Sequence, residues 1–185
     1  MRLVLALAAI MVLVHGANIA LGGQLNNLGI LPRHLSGLWG IIISTWIHVD
    51  INHLVSNLSA FIVLAWLCLL RSKRYFIIAS IFIILLSGLF VWLFGRTAYH
   101  IGASGWIFGL WALLMANALF ERTIKNILIG FLVFIVYGGL IWGILPHSRV
   151  SFEGHISGIV AGVSFAWLMG HNNCLRALAL KQKKI

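Results

Sequence analysis

The sequence predicts an all-α membrane protein, a bundle of six transmembrane helices, and three observations carry that prediction. Of the 185 residues, 62% are hydrophobic and only 9% are charged, where a soluble domain carries roughly 25% charged residues. The apolar stretches approach the length of about 20 helical residues that a bilayer core requires. They are continuous rather than alternating, so their backbone groups must be satisfied within helices and not in a closed barrel.

Taken in order, the first span covers 3–21. Arg2 and the small residues near Ala17 and Ala20 give it the outline of a signal peptide. Its apolar stretch of about 19 residues exceeds the usual 7–15 of such a segment, so it is read as a retained helix. The segment 22–50 is the longest outside the spans; it starts polar, contains Pro32, and continues as Leu38-Trp39-Gly40-Ile41-Ile42-Ile43. That apolar piece is too short to span and fits an interfacial or re-entrant segment. The remaining spans are expected at 51–70, 75–94, 104–120, 124–145 and 155–170. Neither a repeat nor a low-complexity tract divides the chain, so 1–185 reads as a single domain.

Charge sets the expected orientation. With the N-terminus inside, Arg2, Arg71, Lys73, Arg74, Arg122, Lys125, Arg176, Lys181, Lys183 and Lys184 face the cytoplasm, leaving Arg33, Arg96 and Arg149 opposite. This positive-inside bias places both termini in the cytoplasm. It accounts for the net charge of +10 without a nucleic-acid partner. Cys68 and Cys174 lie near cytoplasmic span ends with no CxxC or Cys/His spacing, so they read as reduced structural thiols and not as metal ligands. No cofactor is called for.

Polar groups at membrane depth are costly and each needs an account. His48, His53 and Asn57 lie at the non-cytoplasmic end of the second span, with His53 and Asn57 four apart on one helix face. Gly102-Ala103-Ser104-Gly105 opens the fourth span and His155 the sixth. All fall on the same side of the membrane. Span four carries Gly105 and Gly109, span six Gly158 and Gly162; both are GxxxG patterns that permit close helix approach. If those faces meet, Ser104 and His155 come to similar depth.

A serine needs a base to become nucleophilic, and a neutral imidazole can take its proton. The resulting oxyanion needs donors. His48 or His53, the Asn57 amide and the Ser104 backbone N–H at a helix start can supply them. The three acids, Asp50, Glu121 and Glu153, offer no convincing triad member, so a Ser104–His155 dyad is expected. Phe108, one turn below Ser104, could pack on the imidazole. For His53 and Asn57 the alternative is interhelical hydrogen bonding. His15, His34, His100, His147 and His171, at span ends or in loops, fit interfacial placement, and most of the tryptophans fit interface anchoring or lipid-facing packing. A zinc protease would need His-Glu-x-x-His, which is missing. An aspartyl protease would need two intramembrane aspartates, and the chain has Asp50 alone.

Three motifs together, His48-x4-His53-x3-Asn57, Gly102-Ala103-Ser104-Gly105 and Gly154-His155-Ile156-Ser157-Gly158, resemble those of the rhomboid family of intramembrane serine proteases, in its compact six-helix bacterial form. The resemblance covers nearly the whole chain. It implies Ser104 as nucleophile, His155 as base, His53 and Asn57 at the oxyanion, His48 in support and Phe108 stacked on the histidine. It further implies cleavage of transmembrane or juxtamembrane segments of single-span proteins within the bacterial inner membrane. A subfamily that trims C-terminal sorting tails also fits. Trp39-Gly40 departs from the Trp-Arg that many rhomboids carry in this loop, and Leu69-Leu70-Arg71-Ser72-Lys73-Arg74 replaces an acidic, glycine-containing signature, which leaves loop anchoring open. Rival readings are a small transporter, which predicts polar groups continuing to the cytoplasmic side, and a non-proteolytic membrane-protein binder.

Overall fold

Several of the long helices begin where a side chain can take one of their free N–H groups. Asp50 caps α3 (Ile51–Leu69), its Oδ1 accepting from His53 N at 2.8 Å. That bond holds the exposed carboxyl below the usual aspartate range. Ser72 caps α4 (Lys73–Phe94) and Thr123 caps α6 (Ile124–Tyr137) in the same way. With α1 (Arg2–Ala20), α2 (Gly40–Ile43), α5 (Ser104–Phe120) and α7 (Phe152–Gln182), they form an all-helical bundle. The computed structural model describes residues 1–146 and 150–182, with side chains through Gly170. His147, Arg149, Lys183 and Lys184, and the side chains of His171, Cys174, Arg176 and Lys181, lie outside the described residues.

Among the described residues five helices are long and apolar enough to cross a membrane: α1, α3, α4, α6 with its extension to Ile144, and the first 19 residues of α7. The sixth, α5, has 17 residues. It stands at the centre, packed on α3, α4, α6 and most extensively on α7. Apolar on every face, it is buried on every face, from Trp106 to Asn117. Trp106 and Trp111 therefore sit in the core, where Trp106 packs on Phe61 at 4.5 Å, and not at an interface. By contrast, α6 buries only Gly130 and Val133.

Element bounds differ from the sequence expectation at α4, which starts at Lys73 and not at 75, and at α7, which runs on to Gln182 and not to 170; two further differences have local causes. The span expected at 124–145 is α-helical only to Tyr137 and continues as a 3-10 helix over Gly138–Ile144. The adjacent Gly138 and Gly139 favour that loosening. The last helix starts at Phe152 instead of His155, because Ser151 Oγ accepts Gly154 N–H at 3.2 Å one turn earlier.

The segment 22–50 folds into short helical turns around α2 and packs onto α4. Arg33 anchors it. Its backbone adopts φ +62° while Nη1 donates to Gly95 O (2.8 Å) and Leu93 O (3.5 Å), and Nη2 to Thr97 Oγ1 (3.0 Å). A cation thus meets the free carbonyls at the C-terminus of α4. Gly40 instead permits close packing within the segment. A Cβ there would overlap the Gly29 and Ile30 backbone, so no arginine fits.

Candidate active site

Close backbone packing brings α5 and α7 together. A Cβ on Gly158 would overlap the Gly105 carbonyl oxygen, and one on Gly162 the Gly109 carbonyl oxygen. Only glycine at both positions allows this approach. Ser104 is the first residue of α5 and His155 lies in the first turn of α7. Both line one cavity of about 940 Å³, together with His53, Asn57, Phe108 and Gly143. Among the described residues no hydrogen bond joins the two side chains. Such bonds are often long in unliganded sites and tighten on substrate.

The imidazole of His155 is nonetheless well held. It is 6% exposed, stacked on Phe108 at 4.0 Å with 6° between planes, and its Nδ1 lies 2.7 Å from Gly143 O. Across the cavity, Gly102 adopts φ +113°, a left-handed backbone that favours glycine. Its N–H donates to Ser44 O at 2.9 Å. A Cβ there would stand 2.6 Å from His53 Nε2, so the loop before Ser104 lies directly on His53. Asn57 Nδ2 is buried without a hydrogen-bond partner among the described residues, beside the cavity.

His48 lies behind this wall, fully buried, edge-on to His53 at 5.0 Å. Among the described residues neither of its ring nitrogens has a hydrogen-bond partner that meets the usual geometry. Its carbonyl accepts from His15 Nδ1 at 3.1 Å and Asn18 Nδ2 at 3.4 Å. His15 is therefore a buried link between α1 and the start of α3, and not an interfacial residue. Among the described residues no group of three or more His, Cys, Asp or Glu is arranged to hold a metal.

Sequence reasoning missed a second serine–histidine pair. His100 Nε2–H donates to Arg96 O at 3.0 Å, so Nδ1 accepts from Ser151 Oγ at 2.6 Å. His100 is buried and also bridges to Ile30, so interfacial placement fails for it too. Arg96 adds bonds to Val150 O (2.7 Å) and to Glu153 (3.6 Å). These contacts tie the loop before α5 to the start of α7. His100 precedes Ser104 by four residues, as Ser151 precedes His155, and that shared offset was the available signal.

Polar groups also gather at the opposite end: Tyr75 and Asn117 bond at 3.1 Å beside the Arg71–Glu121 ion pair (2.7 Å), around a second cavity of about 290 Å³. Between the residues of α3 and α5 that line the two cavities lie Phe61, Leu64, Leu110 and Leu113, all fully buried. Cys68 is a free thiol buried at this end.

Known proteins resemble this chain across most of its length. A sequence model of the Rhomboid domain matches residues 35–172. The chain is 38% identical to an uncharacterized protein of Mycobacterium tuberculosis over 176 residues, 90% of this chain and 73% of that one. It is 35% identical to an uncharacterized protein of Mycobacterium leprae over 156 residues, 79% of this chain and 62% of that one. It is 29% identical to RHOMBOID-like protein 1 of Arabidopsis thaliana over 137 residues, 70% of this chain and 34% of that one.

Proposed function

The chain belongs to the rhomboid family, and from that premise we propose that it is an intramembrane serine endopeptidase with Ser104 as nucleophile and His155 as general base. One observation carries the reading: Ser104 and His155 share a cavity with the unpartnered Asn57 Nδ2. Ser104 Oγ attacks the scissile carbonyl carbon while its proton passes to His155 Nε2. The oxyanion is met by Asn57 Nδ2, by His53 and by the Ser104 backbone N–H at the start of α5. As the C–N bond breaks, the proton moves from Nε2 to the leaving amine. Water then attacks the acyl ester, gives its proton to Nε2, and Ser104 recovers a proton as the acid departs.

The length of α5 supports a recessed site. Its 17 residues reach about 26 Å, short of the roughly 30 Å hydrocarbon core. Ser104 then lies below the membrane surface, with the cavity supplying water. The charge bias orients both termini to the cytoplasm and the cavity to the other side. The substrates are single-span membrane proteins, cut in or beside their transmembrane segment; removal of a C-terminal sorting tail is the same chemistry on a narrower substrate class. A transporter would need a continuous polar path, and the apolar layer between the two cavities interrupts it.

The test uses the full chain in proteoliposomes with a single-span reporter. Ser104→Ala abolishes both cleavage and labelling by a fluorophosphonate while the helical spectrum is unchanged. Cleavage by Ser104→Ala at the wild-type rate would sink the reading.

A further inference from the structure

If His155 is the base, something must hold its proton-accepting nitrogen toward Ser104, and among the described residues no carboxylate is hydrogen-bonded to the imidazole, whose one ring contact of that kind is the Gly143 carbonyl. Asp50 caps α3, Glu121 pairs with Arg71 at the far end, and Glu153 is engaged by Arg96. Phe108 fixes the plane of the imidazole by parallel stacking. Stacking is indifferent to a half-turn of the ring about Cβ–Cγ, which would put Cδ2 where Nδ1 stands and Cε1 where Nε2 stands. The remaining contact decides. His155 Nδ1 lies 2.7 Å from the Gly143 carbonyl oxygen, and a carbonyl only accepts, so Nδ1 carries the proton and Nε2 keeps its lone pair.

We propose that the Gly143 main-chain carbonyl is the positioning group of the base, taking the place that a carboxylate holds in a triad; the role rests on the dyad reading above. Two local features build it. The partner of this carbonyl in a continuing 3-10 turn would be the N–H three residues on, but that residue is Pro146, which has none. The carbonyl is thereby left for the histidine. Gly143 must also be glycine to come this close: a Cβ would stand 2.7 Å from Phe108 Cζ and 3.1 Å from His155 Nδ1. The residue therefore serves through its carbonyl and through its lack of a side chain.

The deciding measurement is the ¹⁵N spectrum of histidine-labelled full chain in detergent micelles at a pH where its imidazoles are neutral. The His155 signals are assigned by their loss in His155→Ala. The expected result is a neutral imidazole protonated at Nδ1. Gly143→Ala pushes on the ring and should give a mixture of tautomers, with kcat lowered about tenfold and KM within twofold. Should that variant fail to fold, replacing Ile144 by its α-hydroxy acid makes the Gly143 carbonyl an ester, a weaker acceptor, and should shift the same spectrum in the same direction. A wild-type His155 protonated at Nε2 overturns the proposal. So does a folded variant of either kind whose His155 signals match wild type, whatever its rate. The spectrum needs no substrate, so a chain without peptidase activity would refute the dyad reading and still leave the tautomer to be decided.

Discussion

Replacing Gly158 by alanine should uncouple the two halves of the site, and the size of the effect follows from what surrounds it. The new Cβ would overlap the Gly105 carbonyl oxygen and stand 3.0 Å from its carbon and 3.2 Å from Gly109 N. All are main-chain atoms of α5, so no side chain can turn aside. Ordinary contact needs about 3.5 Å or more, and α7 must back away by about 1 Å. Overpacking of this kind costs about 1–3 kcal/mol. His155 moves with α7 while Ser104 stays on α5, and a displacement near 1 Å lowers a rate by about 100-fold. Gly105→Ala belongs to the facing GxxxG pair but is milder: its Cβ meets Gly154 O at 3.2 Å and nothing else closer than 3.7 Å. A shift of a few tenths of an ångström suffices, and activity should stay within about tenfold of wild type. Gly16→Ala, with nothing within 4 Å, should gain up to about 1 kcal/mol from helix propensity. Initial rates on a single-span reporter, together with thermal midpoints in detergent, should rank Gly16→Ala at or above wild type, then Gly105→Ala, then Gly158→Ala. A folded Gly158→Ala enzyme within threefold of wild type, or equal losses at Gly105 and Gly158, would refute the packing argument.

Arg33→Ala removes charged donors from the Gly95 and Leu93 carbonyls and leaves a side chain at φ +62°. It should cost about 1–3 kcal/mol and speed amide exchange through 29–46, while Arg33→Gly, which relieves the backbone, should be less harmful. Ser151→Ala deletes both the cap of α7 and the bond to His100. A loss of about 1–2 kcal/mol in stability is expected, with cleavage slowed but not abolished, in contrast to Ser104→Ala.

What can be read from the sequence is whatever local pattern determines. Continuous apolar stretches mark helices, and glycines four apart on two of them mark a close crossing, because both features depend only on neighbours along the chain. The placement of single polar residues is harder. His15 and His100 look interfacial by position, yet each is buried by a partner far away in sequence, the His48 carbonyl and Ser151. Nothing local separates Trp106 and Trp111 from the other tryptophans, and α5 being surrounded on all sides is what takes them inward. The loss of α-helix after Tyr137 is signalled by Gly138-Gly139, but its consequence, a carbonyl delivered to His155, depends on a contact across two helices. The question raised by Trp39-Gly40 is resolved in the same way: Arg33 anchors the loop from a position that no motif marks.

Two serine–histidine pairs occur here, Ser104 with His155 and Ser151 with His100, and the proposed choice of Ser104 as nucleophile rests on what surrounds them more than on which pair is better formed. By hydrogen bonding alone Ser151 is ahead, since its Oγ–H already meets His100 Nδ1 at 2.6 Å. A ready proton acceptor is one requirement. Stabilising the charge that develops on the substrate oxygen commonly contributes more to the rate. The Ser151 oxygen also accepts the Gly154 N–H and holds α7 in place, so attack by it would release the cap that positions His155. Ser104 has no such duty. Both serines line the cavity beside which Asn57 Nδ2 is buried with no partner among the described residues, but Ser104 stands at the start of α5, behind a left-handed glycine. Burying a donor unsatisfied costs about 1–3 kcal/mol, a cost that the resting fold carries and an oxyanion would remove. The Ser151–His100 pair is thus a clamp that sets the spacing of the two chain segments four residues before Ser104 and His155, and the Ser104–His155 pair is where the helix start, the cavity and the positioned imidazole coincide.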